Sequence, residues 1–521
     1  MTLLVAGLAG FAVLTVEILG VHLLAPWFGT SALVWSQQIG LVLAAIAVGG
    51  WVGGRVAERS PNPRRSAAWC LLVGGGLMAV CVAFLASFAQ WILPASLTLD
   101  SAAAIFQRGS FAAATLFFVP PVLFLAMLSP LLVQIRAVER GAGRAAGEIS
   151  AAGTLGSLIG ALGSSFFAIP IVGVRTTLII TTVALLLAGA LLLKKHATAG
   201  AAFLPFLLLL LADPSHAANL PAGATVLEVA DSSYQHLRVI GFEDGERWLQ
   251  MNEGLDSFQS LYRPNSLWPG GYYDLFSLGP VYAQFGLESA TAAGGQPLQA
   301  WILGFGAGSA VAPLQLGADR QPLQAVGVEI DPMVVALGNK WLPLSETAKA
   351  AVKVVAGADA RSLLRSAPND LDLILLDAYA RQFEIPVHLA TEEFFAEAYE
   401  HLRPGGIFVV NLGTTSAVES DLGFVARIRA GLAASFGNTQ RMHRVPRSRN
   451  WVLFARKDME FPPLEELGVL LPAGLPLAVG AACLPGQTVD GVGEISQVVP
   501  FTDDRNPLQL QQTMEWWSEA P

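Results

Sequence analysis

Residues 300–308, Ala300-Trp301-Ile302-Leu303-Gly304-Phe305-Gly306-Ala307-Gly308, decide the fold. Four apolar residues read as a buried strand. A glycine-rich turn follows at once and opens onto a helix-length stretch. Glycines in such a turn allow positive φ and let the backbone approach a ligand closely. Downstream the unit repeats, with apolar runs at 325–328, 352–355, 371–376 and 407–411 separated mostly by helix-length stretches. The alternation predicts a parallel sheet with helices on both faces. Such sheets bind ligands outside the carboxyl ends of their strands.

The residues at those ends carry chemistry. Gly304, Gly306 and Gly308 form a GxGxG loop, a weak signal by itself. Glu329 ends the second strand, 25 residues after Gly304. A carboxylate there can accept hydrogen bonds from both ribose hydroxyls. Asp359, in Gly357-Ala358-Asp359-Ala360, follows the third strand and can accept from an adenine amino group. Asp377, in Leu375-Leu376-Asp377-Ala378-Tyr379, ends the fourth. Four such features in order predict a nucleoside site. A dinucleotide would call for GxGxxG, with its pyrophosphate on the helix N-terminus.

Upstream, residues 214–224 read as a linker and 225–297 as a small β subdomain, with β-like runs at 225–229, 236–240 and 248–251. Residues 298–521 then form the Rossmann-like domain. Residues 1–213 differ in kind. The whole chain is 53% hydrophobic and 14% charged, against about 25% charged in soluble proteins. Residues 1–213 carry a net +5 and residues 214–521 a net −14. An acidic second half disfavours nucleic acid. Three cysteines (Cys70, Cys81, Cys483) and scattered histidines give no metal signature.

Six segments, roughly 3–24, 37–57, 67–88, 109–133, 147–170 and 174–193, are long and apolar enough to span a bilayer. A seventh, 197–212, is short and could cross or lie re-entrant. Loops after spans two, four and six hold nine Lys/Arg, and the opposite side holds Arg108 and Arg175. That bias puts the N-terminus in the cytoplasm of a multi-pass cell-membrane protein. A crossing seventh segment would put the second half outside. The cytoplasmic origin of the nucleoside favours a second half in the cytoplasm. Gly49, Gly50, Gly53, Gly54 and Gly153, Gly156, Gly160, Gly163 offer close helix packing, mainly within one bundle, with homodimerisation as the alternative. Glu17, Glu148 and His22 lie in or at the end of spans, as internal ion pairs or as functional groups.

The glycine loop, Glu329, Asp359-Ala360 and Asp377 together resemble S-adenosylmethionine-type Rossmann enzymes. Ser233-Tyr234-Gln235 and Glu329-Ile330-Asp331-Pro332 resemble spermidine synthases, the polyamine aminopropyltransferases. Ala25-Pro26-Trp27-Phe28-Gly29-Thr30-Ser31 with Val34-Trp35, Gly153-Thr154-Leu155-Gly156-Ser157 and Thr502-Asp503-Asp504-Arg505-Asn506-Pro507 resemble that family's membrane-fused branch. Residues 53–59 resemble the basic loop of major facilitator transporters, of which six spans would be half. The resemblance implies that Gln235 touches the ribose, the three glycines floor the site, Glu329 holds the ribose and Asp359 with Ala360 reads the adenine. Asp377 would take the amine proton. Tyr272, Tyr379 and His388 would meet the substrate. Trp268, Tyr272 and Tyr273 could form an aromatic lid over the sulfonium, or core packing. Asp503 and Asp504 could close the site or cap a helix.

Two positions depart from the family pattern. Ala307 and Ala380 stand where spermidine synthases carry aspartates for the aminopropyl ammonium and the polyamine. The substrate is then S-adenosylmethionine or its decarboxylated form, with Arg381 or Arg263 available to a carboxylate and no metal needed. The leading reading is aminopropyl transfer to a diamine or another amine, a lipid-derived one included, releasing methylthioadenosine. Lyase-type cleavage of S-adenosylmethionine, methyl transfer to a membrane acceptor, and non-catalytic nucleoside sensing are the alternatives.

Overall fold

The computed structural model of the chain describes residues 1–28, 32–93, 99–193, 220–252, 258–286, 296–319, 321–344, 350–379, 385–413, 423–491 and 498–508. Among them, six helices are long and apolar enough to cross a membrane: Thr2–Phe28, Val34–Arg59, Pro63–Ile92, Arg108–Arg140, Ala142–Ala168 and Val174–Leu193. The seventh apolar segment, 197–212, lies outside the described residues. The fourth span is broken at Phe118 and Met127, next to Pro120, Pro121 and Pro130. Each proline lacks the N–H that a continuous helix needs.

Glycines let the first and fifth spans touch. A Cβ on Gly156 would lie 1.9 Å from the Gly7 carbonyl oxygen, and one on Gly10 would lie 2.0 Å from that of Gly153. Ser157 Oγ donates to Gly10 O at 3.2 Å. Gly49 and Gly53 likewise face the backbone of the broken fourth span, at Leu123 and Met127. Gly50, Gly54 and Gly163 have open space instead. Glu148 pairs with Arg136 and, at 2.9 Å, with Arg144. Glu17 has no polar partner among the described residues.

The second half begins with an antiparallel sheet, β1 (Thr225–Asp231), β2 (His236–Gly241), β3 (Arg247–Met251) and β4 (Ser260–Tyr262). Gly245, at φ +86, makes the β2–β3 turn. Eight strands form the main sheet: β5 (Leu298–Leu303), β6 (Leu323–Glu329), β7 (Ala351–Ala356), β8 (Leu371–Leu376), β9 (Leu402–Gly413), β10 (Gln440–Arg444), β11 (Asn450–Arg456) and β12 (Thr488–Asp490). Their order is β12-β10-β11-β9-β8-β5-β6-β7. Strands β5 to β9 are parallel, as expected. The fully parallel expectation fails beyond β9, because β11 pairs antiparallel with both β9 and β10. Only residues 445–449 separate β10 from β11, too few for a crossover helix, so the pair must be a hairpin.

Side chains alternate across this sheet with the two-residue period of a strand. Ala300, Ile302, Leu373 and Leu375 enter one core, and Trp301, Leu303, Ile374 and Leu376 enter the other. Helices cover both faces, so both alternations are buried. The chain order reverses between β5 and β8, which opens a crevice at their carboxyl ends.

The second half meets the bundle at one end only among the described contacts. Ser233 Oγ donates to Ser165 O at 3.1 Å. Gly173 lies beside Asp231, whose carboxylate also accepts the Val174 N–H at the start of the sixth span. These bundle residues lie at the end of span five and the start of span six. The arginine-rich loops lie at the opposite end, where Arg136 Nη1 reaches Thr2 Oγ1 at 3.4 Å.

If the glycine stripe serves packing inside one bundle, Gly156→Leu should destabilise the protein in detergent by at least ~1–3 kcal/mol, the usual cost of overpacking. Gly54→Leu, into open space, should leave the thermal midpoint near wild type. The reverse pattern would assign the stripe to an interface between copies.

Candidate functional site

A cavity of about 360 Å³ lies in the crevice beyond β5, β6, β7 and β8, within the usual range for small-molecule sites. The glycine loop forms its floor because the ends of β5 and β8 approach closely there. A Cβ on Gly304, at φ +84, would lie 2.5 Å from the Ala378 Cα. Gly306, at φ +57, passes Ser260 Oγ, which accepts the Ala307 N–H at 2.9 Å.

Glu329 ends β6 and is buried at the cavity wall. One carboxylate oxygen accepts the Gly306 N–H at 2.8 Å and the other accepts the Asp331 N–H at 3.1 Å. Burial nonetheless pushes its pKa up to about 7 against these two bonds. Gln235 also lines the cavity, and its amide donates to Asp331 Oδ2 at 3.2 Å. Asp331 is fully buried. It accepts Ser232 Oγ at 2.6 Å and caps the helix Pro332–Trp341 through the Met333 N–H. This carboxylate therefore ties the small β sheet to the Rossmann part.

Asp359 caps the helix Ala360–Leu364 by accepting the Ser362 N–H at 2.9 Å. Its second oxygen meets His388 Nε2 at 2.8 Å. Burial works to raise its pKa, but the Ser362 and His388 hydrogen bonds outweigh it and hold the carboxyl low. Asp359, Ala360 and His388 all line the cavity. The backbone of His388 is fixed in turn by Arg361 Nη1, at 3.1 Å. Arg361 is buried and makes a two-bond pair with Asp503, at 2.7 and 2.9 Å, and another with Glu397. Asp503 thus anchors the C-terminal segment to the cavity wall, and Asp504 is exposed.

Asp377 lies at the cavity floor beyond β8. Asn411 Nδ2 donates to its Oδ1 at 3.1 Å. Burial pushes its pKa up to about 8, with the Asn411 bond opposing. Tyr379 lines the same region, its hydroxyl donating to Asn411 O at 2.5 Å. A neutral carboxyl at rest, surrounded by aromatic rings, can take a proton or hold a cation once ionised.

Several expectations need correction. Tyr272 does not line the cavity. Tyr273 does, with its hydroxyl on Gln259 O at 2.7 Å, and Tyr272 packs behind it at 4.2 Å between ring centroids. Residues Tyr272–Leu275 form one helical turn, in which successive side chains point about 100° apart, and Tyr273 takes the buried side. Gly308, at φ +97, serves the turn and is not at the cavity surface. Ala307 points away from the cavity into an apolar cluster with Val334 and Leu337 beneath the small sheet. Trp268 is outside the cavity, and Arg263 is paired with Glu246 at 2.8 Å. Ala380 and Arg381 lie outside the described residues. Sequence reasoning missed Asp331, Asn411 and Ser260. Asn411 carried a signal, being the polar end of an apolar strand. Among the described residues no three His, Cys, Asp or Glu gather to hold a metal ion.

No family model matches the chain. It is 29% identical over 228 residues to a probable polyamine aminopropyl transferase from Bifidobacterium longum (strain NCC 2705), covering 44% of this chain and 46% of that protein. The chain thus spans about half the length of this curated relative. A probable spermidine synthase from Corynebacterium glutamicum ATCC 13032 is similar at 20% identity and a TM-score of 0.42, over 55% of this chain and 97% of that one. Spermidine synthase from Thermotoga maritima is similar at 17% and 0.38, over 50% and 84%. Over 228 residues the chain is similar to a probable polyamine aminopropyl transferase, and it also carries six helices of membrane-spanning length.

Proposed function

We propose that the chain is a membrane-bound enzyme that releases methylthioadenosine by aminopropyl transfer to an amine from decarboxylated S-adenosylmethionine, or, with intact S-adenosylmethionine, by the same displacement with a 3-amino-3-carboxypropyl group. The observation that carries this reading is Asp377, a half-buried carboxyl at the floor of a cavity whose other wall presents Glu329 and Gln235. Glu329 would hold the ribose hydroxyls and Asp359 with Ala360 would face the adenine. The amine nitrogen attacks the carbon next to the sulfonium. The carbon–sulfur bond breaks, its electron pair returns to sulfur, and methylthioadenosine leaves as a neutral thioether. The new ammonium gives its proton to Asp377. The sulfonium is already a good leaving group, so the protein supplies orientation and a proton acceptor.

One observation favours the lyase-type reading as a second. Among the described residues the cavity has three carboxylates, and two of them, Glu329 and Asp359, are taken by the ribose and the adenine in this reading. Only Asp377 is left for an acceptor, so the far ammonium of a diamine has no second carboxylate there. A monoamine, or no external amine, suits this cavity better than a diamine does.

Asp377 must be ionised to accept a proton. The rate, as kcat/KM, should therefore rise with pH through a value near 8 and level off above it. A bound sulfonium favours the carboxylate, so the inflection in kcat should fall at lower pH. Asp377→Asn should lower kcat by ~10²–10⁴-fold and remove the inflection. Methylthioadenosine release measured across pH checks both. An unchanged profile in the variant would remove Asp377 from the chemistry.

The docking contacts also bear on orientation. With the arginine-rich loops and the N-terminus in the cytoplasm, docking at the opposite end supports a second half on the non-cytoplasmic face, against the expectation from the nucleoside's origin. All three native cysteines are buried, so introduced ones can be read cleanly. Leu477→Cys, on the exposed second half, should react with an impermeant maleimide in intact cells, and Val138→Cys should react only after permeabilisation. The opposite result would return the second half to the cytoplasm.

A further inference from the structure

The cavity is not built by the α/β half alone. Trp35, in the first turns of the second membrane helix, is part of its wall. The same rim carries Tyr234 and Gln235. Their neighbour Ser233 makes the hydrogen bond to Ser165 of the bundle, so this is the edge where the two halves dock. Gln235 and Glu329 are linked there through Asp331. The bundle-facing edge is therefore the ribose-binding edge, and Asp377 lies beyond the other strand of the crevice, β8.

Trp35 is held in place from behind. The ring of His22 meets it edge-on, with centroids 6.3 Å apart, and His22 Nδ1 is bonded to Ile18 O at 3.1 Å. The indole is only partly buried and belongs to the cavity surface. Its position at the start of a membrane span is where indoles favour the bilayer–water boundary. A flat, apolar ring at the edge of a pocket suits the face of a purine or ribose.

We propose that Trp35 is a nucleoside-binding residue and that the membrane bundle supplies the last wall of the pocket. The proposal rests on the nucleoside reading above and adds a role for the membrane half within the site. Binding of the nucleoside and docking of the two halves are then linked, since each presents surface to the other. The membrane domain is in this sense part of the active site and not only its anchor.

The test uses the full chain in detergent, with methylthioadenosine as the probe and Kd read by calorimetry. Trp35→Ala should weaken binding about tenfold, the scale of one lost aromatic stack. Trp35→Phe should recover most of it, and Trp35→Leu, which fills space without a ring, should not. Trp51→Ala removes an exposed tryptophan from the same helix and should bind as wild type. In turnover, KM for the nucleoside substrate should rise with kcat little changed. If Trp35→Ala and Trp35→Leu both bind as tightly as wild type, the proposal is overturned. If Trp35→Ala does not fold, Phe against Leu decides it: equal affinities overturn it and a Phe-specific recovery supports it. If the wild-type chain itself binds no methylthioadenosine, the nucleoside reading fails first and this inference falls with it.

Discussion

The carboxyl ends of β5 and β8 come so close that only a glycine fits between them. Gly304 at φ +84 has no room for a Cβ beside Ala378, and the Asp377 N–H bonds to Leu303 O at 2.9 Å. This contact sits where the strand order reverses. It turns the glycine loop toward β6, where Glu329 fixes the loop through the Gly306 N–H. It also holds Asp377 at a set depth beneath the same cavity. A side chain at 304 would push β5 and β8 apart and separate the proposed ribose and amine groups together.

The two carboxyls flanking this contact share an electrical character. Burial raises both, Glu329 to about 7 and Asp377 to about 8, so an empty pocket is less negative than its composition suggests. A cationic sulfonium entering between them shifts both toward ionisation. Substrate charge and base activation are then parts of one event. Asp359 differs, being partly exposed and held low by its hydrogen bonds to Ser362 and His388, and is suited to reading a neutral base edge.

Much of this was legible in the sequence because it depends on local pattern. The strands of the parallel core appear as apolar runs, and Gly304, Glu329, Asp359 and Asp377 each end one. The antiparallel edge was not legible, since β10 (Gln440–Arg444) holds a single apolar residue, Met442, and so gives no strand-like run to pair with β11. Asp331 and Asn411 escaped for another reason. Their roles lie in contacts with distant segments, Ser232 and Gln235 in one case and Asp377 in the other. Tyr272 and Tyr273 differ only in which way one turn points them, and sequence carries no signal for that. Ala307 stands where the resemblance implies an aspartate, yet its side chain faces Val334 and Leu337 and not the ligand space.

Among the described residues the membrane half meets the second half at Ser165, Val174 and Trp35, all at the end away from the arginine-rich loops. The central claim is the reaction itself. The most direct measurement gives purified full-length protein decarboxylated S-adenosylmethionine with a simple amine and identifies all products by mass spectrometry. The account predicts methylthioadenosine and aminopropylated amine in equal amounts. S-adenosylhomocysteine from intact S-adenosylmethionine, or no product with either nucleoside, would contradict it.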